Sequence, residues 1–149
     1  MYQSEFETFS PALLSGTVSL TVHDPSDPGT PVNIIETDDA FDIRVDWSIS
    51  GLAAPFIGGE WHVNAYLDDR DGVALSSGLL KGAIVLVGPS NGQSVRNYNT
   101  TLSVAAGAVQ PGLYDLTVAI TYDNFGPPLS IAAFCEGPIL QFYKKVDQP

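Results

Sequence analysis

Ten residues near the middle of the chain, Phe41-Asp42-Ile43-Arg44-Val45-Asp46-Trp47-Ser48-Ile49-Ser50, place an apolar side chain at every odd position and a polar one at every even position. Side chains alternate across a β-strand but recur every ~3.6 residues around a helix, so this pattern fits a strand with one wet face and one buried face. Tyr114-Asp115-Leu116-Thr117-Val118-Ala119-Ile120-Thr121-Tyr122 repeats it, and residues 61–68 follow it with one break at Tyr66.

Weaker strand patterns cover residues 17–22, 32–35, 83–87, 96–104, 129–135 and 139–143. The separators carry turn chemistry: Asp24-Pro25-Ser26-Asp27-Pro28-Gly29, Gly58-Gly59, Asp69-Arg70-Asp71-Gly72, Ser90-Asn91-Gly92, Pro111-Gly112 and Gly126-Pro127-Pro128. Many short strands at this spacing predict an all-β sandwich or barrel. The composition agrees, since 44% of residues are apolar and only 15% charged, whereas long surface helices are rich in Glu, Lys and Arg. The 149 residues fit one domain. We expect a loosely ordered N-terminal arm over residues 1–14 and a single domain over 15–149. The predicted core is Phe41, Ile43, Val45, Trp47, Ile49, Trp61, Val63, Leu67, Leu116, Val118 and Ile120.

Two local patterns sharpen the fold. Val109-Gln110-Pro111-Gly112-Leu113-Tyr114 resembles the turn entering strand F of fibronectin type III and related immunoglobulin-like domains. In those domains a tyrosine turns its hydroxyl back onto nearby backbone, and Tyr114 stands at that place. Trp47 resembles the core tryptophan of strand B in fibronectin type III domains; the alternative is that Trp61 resembles the strand C tryptophan of antibody-type domains. The cysteines of antibody domains are missing: Leu116 stands where the strand F cysteine would be. The resemblance implies an antiparallel immunoglobulin-like β-sandwich of about seven to nine strands. The run Glu136-Gly137-Pro138-Ile139-Leu140-Gln141-Phe142-Tyr143 is similar to the tails of small bacterial proteins of unassigned activity. A fold of this kind implies no function by itself.

Charge narrows the partners. Six basic residues stand against seventeen acidic ones, a net charge of −11. A nucleic-acid binder needs cations to displace counterions from phosphates, so we expect no nucleic-acid partner. No run of about 18 apolar residues occurs, so no membrane insertion is expected. Cys135 is the only cysteine. With one thiol, and with no basic region or apolar run in Met1-Tyr2-Gln3-Ser4-Glu5, the expected location is cytoplasmic.

No catalytic constellation stands out, and we expect no enzyme. Gly88-Pro89-Ser90-Asn91-Gly92 matches the G-x-S-x-G pattern, but that motif needs a helix after it, and residues 93–99 read as loop and strand. Both histidines, His23 and His62, precede the serine, against the hydrolase order. Cys135 lies in an apolar strand with no base in sight, which suits a small buried hydrophobe. His62 alternates outward, and two isolated histidines do not make a zinc site.

An immunoglobulin-like topology sorts the loops into two poles. One gathers Asp24, Asp27, Glu36, Asp38, Asp39, Asp68, Asp69 and Asp71, with Arg70 the cation among them. From these, Asp38, Asp39, Asp68, Asp69 and Asp71 are candidate calcium ligands, because calcium takes carboxylate and carbonyl oxygens. The bland reading is that Asp and Gly simply make good turns. The other pole has apolar loops, with Phe56 and Ile57 in one and Phe125 and Pro127 in the other. These four are candidate binding residues, since loops normally meet water. The leading expectation is a non-catalytic module for protein–protein interaction or assembly, through the apolar pole, a sheet edge or both. The alternatives are a carbohydrate-binding module using Tyr66, Phe125 and Tyr143, and a calcium-dependent adhesion-type module.

Overall fold

The computed structural model describes residues 2–70, 78–88, 92–124 and 131–145. In chain order its strands are β1 (Tyr2–Glu5), β2 (Glu7–Thr8), β3 (Ser15–Asp24), β4 (Asp27–Pro31), β5 (Ile34–Glu36), β6 (Phe41–Ser50), β7 (Glu60–Asp69), β8 (Gly78–Leu86), β9 (Val95–Val104), β10 (Gly112–Asp123) and β11 (Ile131–Tyr143). They form an all-β sandwich. One sheet has the order β1-β3-β6-β9, with β4 also paired to β3. The other has the order β2-β11-β10-β7-β8, with β5 also paired to β11. Among the described residues no helix is long and apolar enough to cross a membrane.

The period-two stretches drive the packing. All eleven predicted core residues are at most 2% exposed. Each large apolar side chain so buried contributes ~1.5–3 kcal/mol, which makes the register strongly specified. Trp47 from one sheet meets Trp61 from the other edge to face, with ring centroids 6.3 Å apart, and Tyr98 stacks on Trp47 at 5.7 Å. Tyr114 is fully buried, and its hydroxyl donates to the Gln110 carbonyl at 2.9 Å. That is the backbone-directed tyrosine its motif predicted.

The structure departs from the sequence reading in four places. There are eleven strands among the described residues, not seven to nine, because β1, β2, β4 and β5 add short pieces to the edges. Residues 2–14, expected as an arm, pair with β3 through β1 and with β11 through β2. Phe6 and Leu14 from this segment are buried in the core, which anchors it. The pairing of β5 with β11 is parallel in an otherwise antiparallel structure. Residues 131–143 form one strand, not two, because the Glu136-Gly137-Pro138 stretch is absorbed as a register shift against β10. At Gly137 a Cβ would stand 2.9 Å from Leu20 and 3.0 Å from Leu116, so the glycine lets the bulge sit against the core.

The short strands all lie on the β3/β11 side. There β1 and β2, like β4 and β5, cross from one sheet to the other. On the opposite side β8 and β9 end their sheets, and no other described strand pairs with them.

Candidate functional site

The loop from β6 to β7 holds a single 3-10 turn, Ala54–Phe56. Ala54, Pro55 and Ile57 are buried beneath it, whereas Phe56 is 81% and Leu52 is 74% exposed. The apolar loop therefore divides its labour: Ile57, expected in the binding surface, caps the core, and Phe56 stands in solvent. Phe125 and Pro127 lie outside the described residues.

This loop is held firmly. The Arg96 side chain is buried, and its guanidinium donates to the carbonyls of Ala54 at 3.2 Å, Ile57 at 3.0 Å, Val87 at 2.6 Å and Gly88 at 3.3 Å. Arginine suits this task because its planar fork offers five donors in fixed directions. The Tyr98 hydroxyl adds a bond to the Val87 carbonyl at 2.8 Å, and the Tyr122 hydroxyl donates to the Gly58 carbonyl. Ala53 N–H donates to the Leu13 carbonyl at 3.0 Å, which ties the N-terminal segment to the same loop. Gly59 takes φ +106°, and a Cβ there would lie 2.2 Å from the Asp123 carbonyl oxygen. The residue before β7 thus meets the end of β10 backbone to backbone.

Beside that meeting point the sheet face carries Glu60, His62 and Asp123. Glu60 and His62 are two residues apart on β7 and so share a face. Asp123 on β10 is the register partner of Glu60. His62 Nε2 lies 3.0 Å from Glu60 Oε1 and 3.9 Å from Asp123 Oδ2. On the other flank, Leu86 and Ile84 of the edge strand β8 are the register partners of Glu60 and His62, and both are exposed. The expectation that His62 is an isolated surface residue does not survive this arrangement. Its sequence signal was a Glu-x-His pair on one strand face, completed by an aspartate at the end of the neighbouring strand.

The acidic pole looks different. Asp38, Asp39 and Asp68 are exposed and Asp69 is half-buried, and Asp71 lies outside the described residues. Among the described residues, three ligating groups come within 4.8 Å of one another only at Glu60, His62 and Asp123. One acid of this pole has a clear local partner. Asp24 Oδ1 accepts the Ser26 backbone N–H at 2.9 Å and the Ser26 hydroxyl at 2.8 Å. These two bonds, the backbone one first, hold the exposed Asp24 carboxyl below its usual range. Arg70 pairs with Asp115 at 3.3 Å on the surface.

The remaining candidates separate cleanly. Cys135 is buried with its thiol 3.3 Å from the Tyr2 carbonyl, and burial pushes its pKa up, followed by the nearby Glu136 charge. That favours the thiol over the nucleophilic thiolate. Pro89, Ser90 and Asn91 of the G-x-S-x-G match lie outside the described residues, and strand β9 follows from Val95, not a helix. Tyr66 and Tyr143 are exposed on the outer face of the second sheet. Tyr66 pairs with Thr117, whereas Tyr143 lies beyond the Gly112–Phe142 pair, so no compact aromatic platform joins them.

No protein-family model matches the chain, and no curated protein matches it. Solved structures similar to it include the CARDB domain of the PF1109 protein from Pyrococcus furiosus, determined in complex with di-metal ions. That domain is 14% identical with a TM-score of 0.49, over 90% of this chain and 97% of that one. A β-glucosidase from Listeria innocua in complex with isofagomine is 12% identical with a TM-score of 0.47, over 84% of this chain but 16% of the enzyme. A bacterial adhesin from Mobiluncus mulieris is 11% identical with a TM-score of 0.42, over 89% of this chain and 50% of that one. These likenesses carry no argument about activity. The sandwich stands on the strand pairings described above.

Proposed function

We propose that the chain is a non-catalytic β-sandwich module that binds another protein through the pole carrying Phe56. The observation that carries this reading is the exposure of Phe56, at 81%, on a loop whose backbone is fastened by buried Arg96. A solvated phenylalanine forgoes ~1.5–3 kcal/mol of burial. A rigid loop that holds it outward has already met the ordering cost of association, which favours tight contact. Aromatic anchors of this kind dominate binding energy in protein interfaces. The chain carries eleven more negative than positive charges. The partner that fits has an apolar pocket bordered by lysine or arginine.

The test is affinity capture with wild-type chain and with Phe56→Ser as bait, followed by titration of the retained protein. The substitution should weaken association by roughly 30-fold, as the loss of an interface anchor worth about 2 kcal/mol does. Thermal stability should stay within about 0.5 kcal/mol, because the ring rests in solvent. Unchanged association together with a large stability loss would make Phe56 a piece of the core and end this reading.

A further inference from the structure

We propose that Glu60, His62 and Asp123 form a binding site for a divalent transition-metal ion of the zinc class. The donor set is one imidazole nitrogen and two carboxylates, all within 4.8 Å of one another. Around an ion that holds nitrogen and oxygen at ~2.0–2.2 Å, neighbouring donors stand ~3–3.5 Å apart. His62 Nε2 and Glu60 Oε1 already have such a spacing at 3.0 Å, and Asp123 Oδ2 at 3.9 Å needs only a short closure. The chemistry selects the metal: calcium and magnesium prefer oxygen donors alone, and imidazole with carboxylate suits zinc and its first-row neighbours.

Electrostatics gives the site a reason to take a cation. Glu60 and Asp123 face each other across adjacent antiparallel strands, an arrangement that is destabilising for two like charges. His62 Nε2 stands beside both carboxylates, nearer to Glu60. A divalent ion compensates both and uses His62 as its third ligand.

The backbone around the site is preorganised independently of any ion. The close approach of Gly59 to the Asp123 carbonyl fixes the end of β10 against the start of β7. Tyr122, next to Asp123, is bonded to the Gly58 carbonyl. The register pairs Glu60 with Asp123 and His62 with Thr121 leave no freedom in which side chains share the face. Exposed Leu86 and Ile84 border it on β8 and shield one flank from water. Three protein ligands leave at least one coordination position open, which water fills.

The experiment is isothermal titration of the chelator-stripped 149-residue chain with zinc chloride alone, repeated with cobalt(II) to read coordination by visible absorption. One ion per chain should bind, with cobalt bands of a low-coordinate nitrogen–oxygen site. His62→Ala and Asp123→Asn should each weaken zinc binding at least ~10–100-fold, the scale seen when even supporting contacts of a metal site are lost. Zinc should raise the melting temperature of the wild type and not of the variants, and calcium at the same concentration should raise neither. Asp123 is half-exposed, so Asp123→Asn should fold normally, and its melting in chelator against the wild type checks this. Absence of zinc binding up to millimolar concentration would overturn the proposal. Unchanged stoichiometry and affinity in both variants would also overturn it, because the ion would then sit elsewhere.

Discussion

Tyr114 and Arg96 are both buried polar side chains that bond to backbone carbonyls, yet one was readable from the sequence and the other was not. The tyrosine sits in a short contiguous motif, and its acceptor, Gln110, is four residues upstream. Tyr114→Phe should cost about 0.5–1.5 kcal/mol in equilibrium denaturation, the net worth of one such hydrogen bond, here part-buried. An unchanged midpoint would mean that water replaces the hydroxyl. Arg96 instead collects carbonyls from the β6–β7 loop and from the end of β8, places that no local pattern links. A single odd cation in a strand of Asn, Thr and Tyr gave no sign of burial. Cys135 gives a second residue-scale prediction with a definite sign. Burial raises its pKa, so the folded state holds the proton longer than the unfolded chain does. Above the ordinary thiol pKa of about 8.5 the unfolded state releases that proton first, and stability falls as pH rises through that value. Cys135→Ala should flatten this alkaline slope. Native protein should also resist thiol labelling that proceeds readily in denaturant, and rapid native labelling would contradict the burial of Cys135.

At the scale of elements, legibility follows length and one-sided burial. The long strands β6, β7 and β10 bury alternate residues against a second sheet, so period two is written through them. The pieces β1, β2, β4 and β5 have two to five residues each and ride on edges, where no period has room to show. The same holds for the candidate site. Phe56 was visible as an apolar residue in a loop, while the meeting of Glu60 and His62 with Asp123 depends on the register of β7 against β10. The glycine pair before β7 tests how that register is set. Gly59 has φ +106° and no room for a Cβ against Asp123, whereas a Cβ at Gly58 meets nothing within 4 Å. Gly59→Ala should therefore cost at least ~1–3 kcal/mol by chemical denaturation, from backbone strain and the contact it must relieve. Gly58→Ala should stay within about 0.5 kcal/mol. Equal effects would mean that the close approach of Gly59 to the end of β10 does not fix this corner.

For the whole molecule, two opposing features decide whether copies of the chain associate. The strands β8 and β9 leave a sheet edge each on one side of the sandwich, among the described residues. The edge β8 is also apolar on its outer face, with Leu79, Ile84 and Leu86 all more than 60% exposed and Lys81 the one charge on the strand. An edge of this kind is a template for pairing with another chain. Against it stands the net charge of −11, which repels a second copy at long range. Repulsion of this sort reaches ~30 Å at 0.01 M salt and only ~3 Å at 1 M, while apolar contact does not weaken with salt. The chain should therefore run at monomer mass by light scattering in dilute buffer and grow in mass toward 1 M salt. Ile84→Lys places a cation on the outer face of the edge strand and should hold the mass at monomer in high salt, without loss of thermal stability, because Ile84 is 61% exposed. Growth that persists in Ile84→Lys but stops in Phe56→Ser would move self-association from the edge to the pole. A monomer at every salt concentration would mean that the free edge of β8 does not template pairing between copies of the chain.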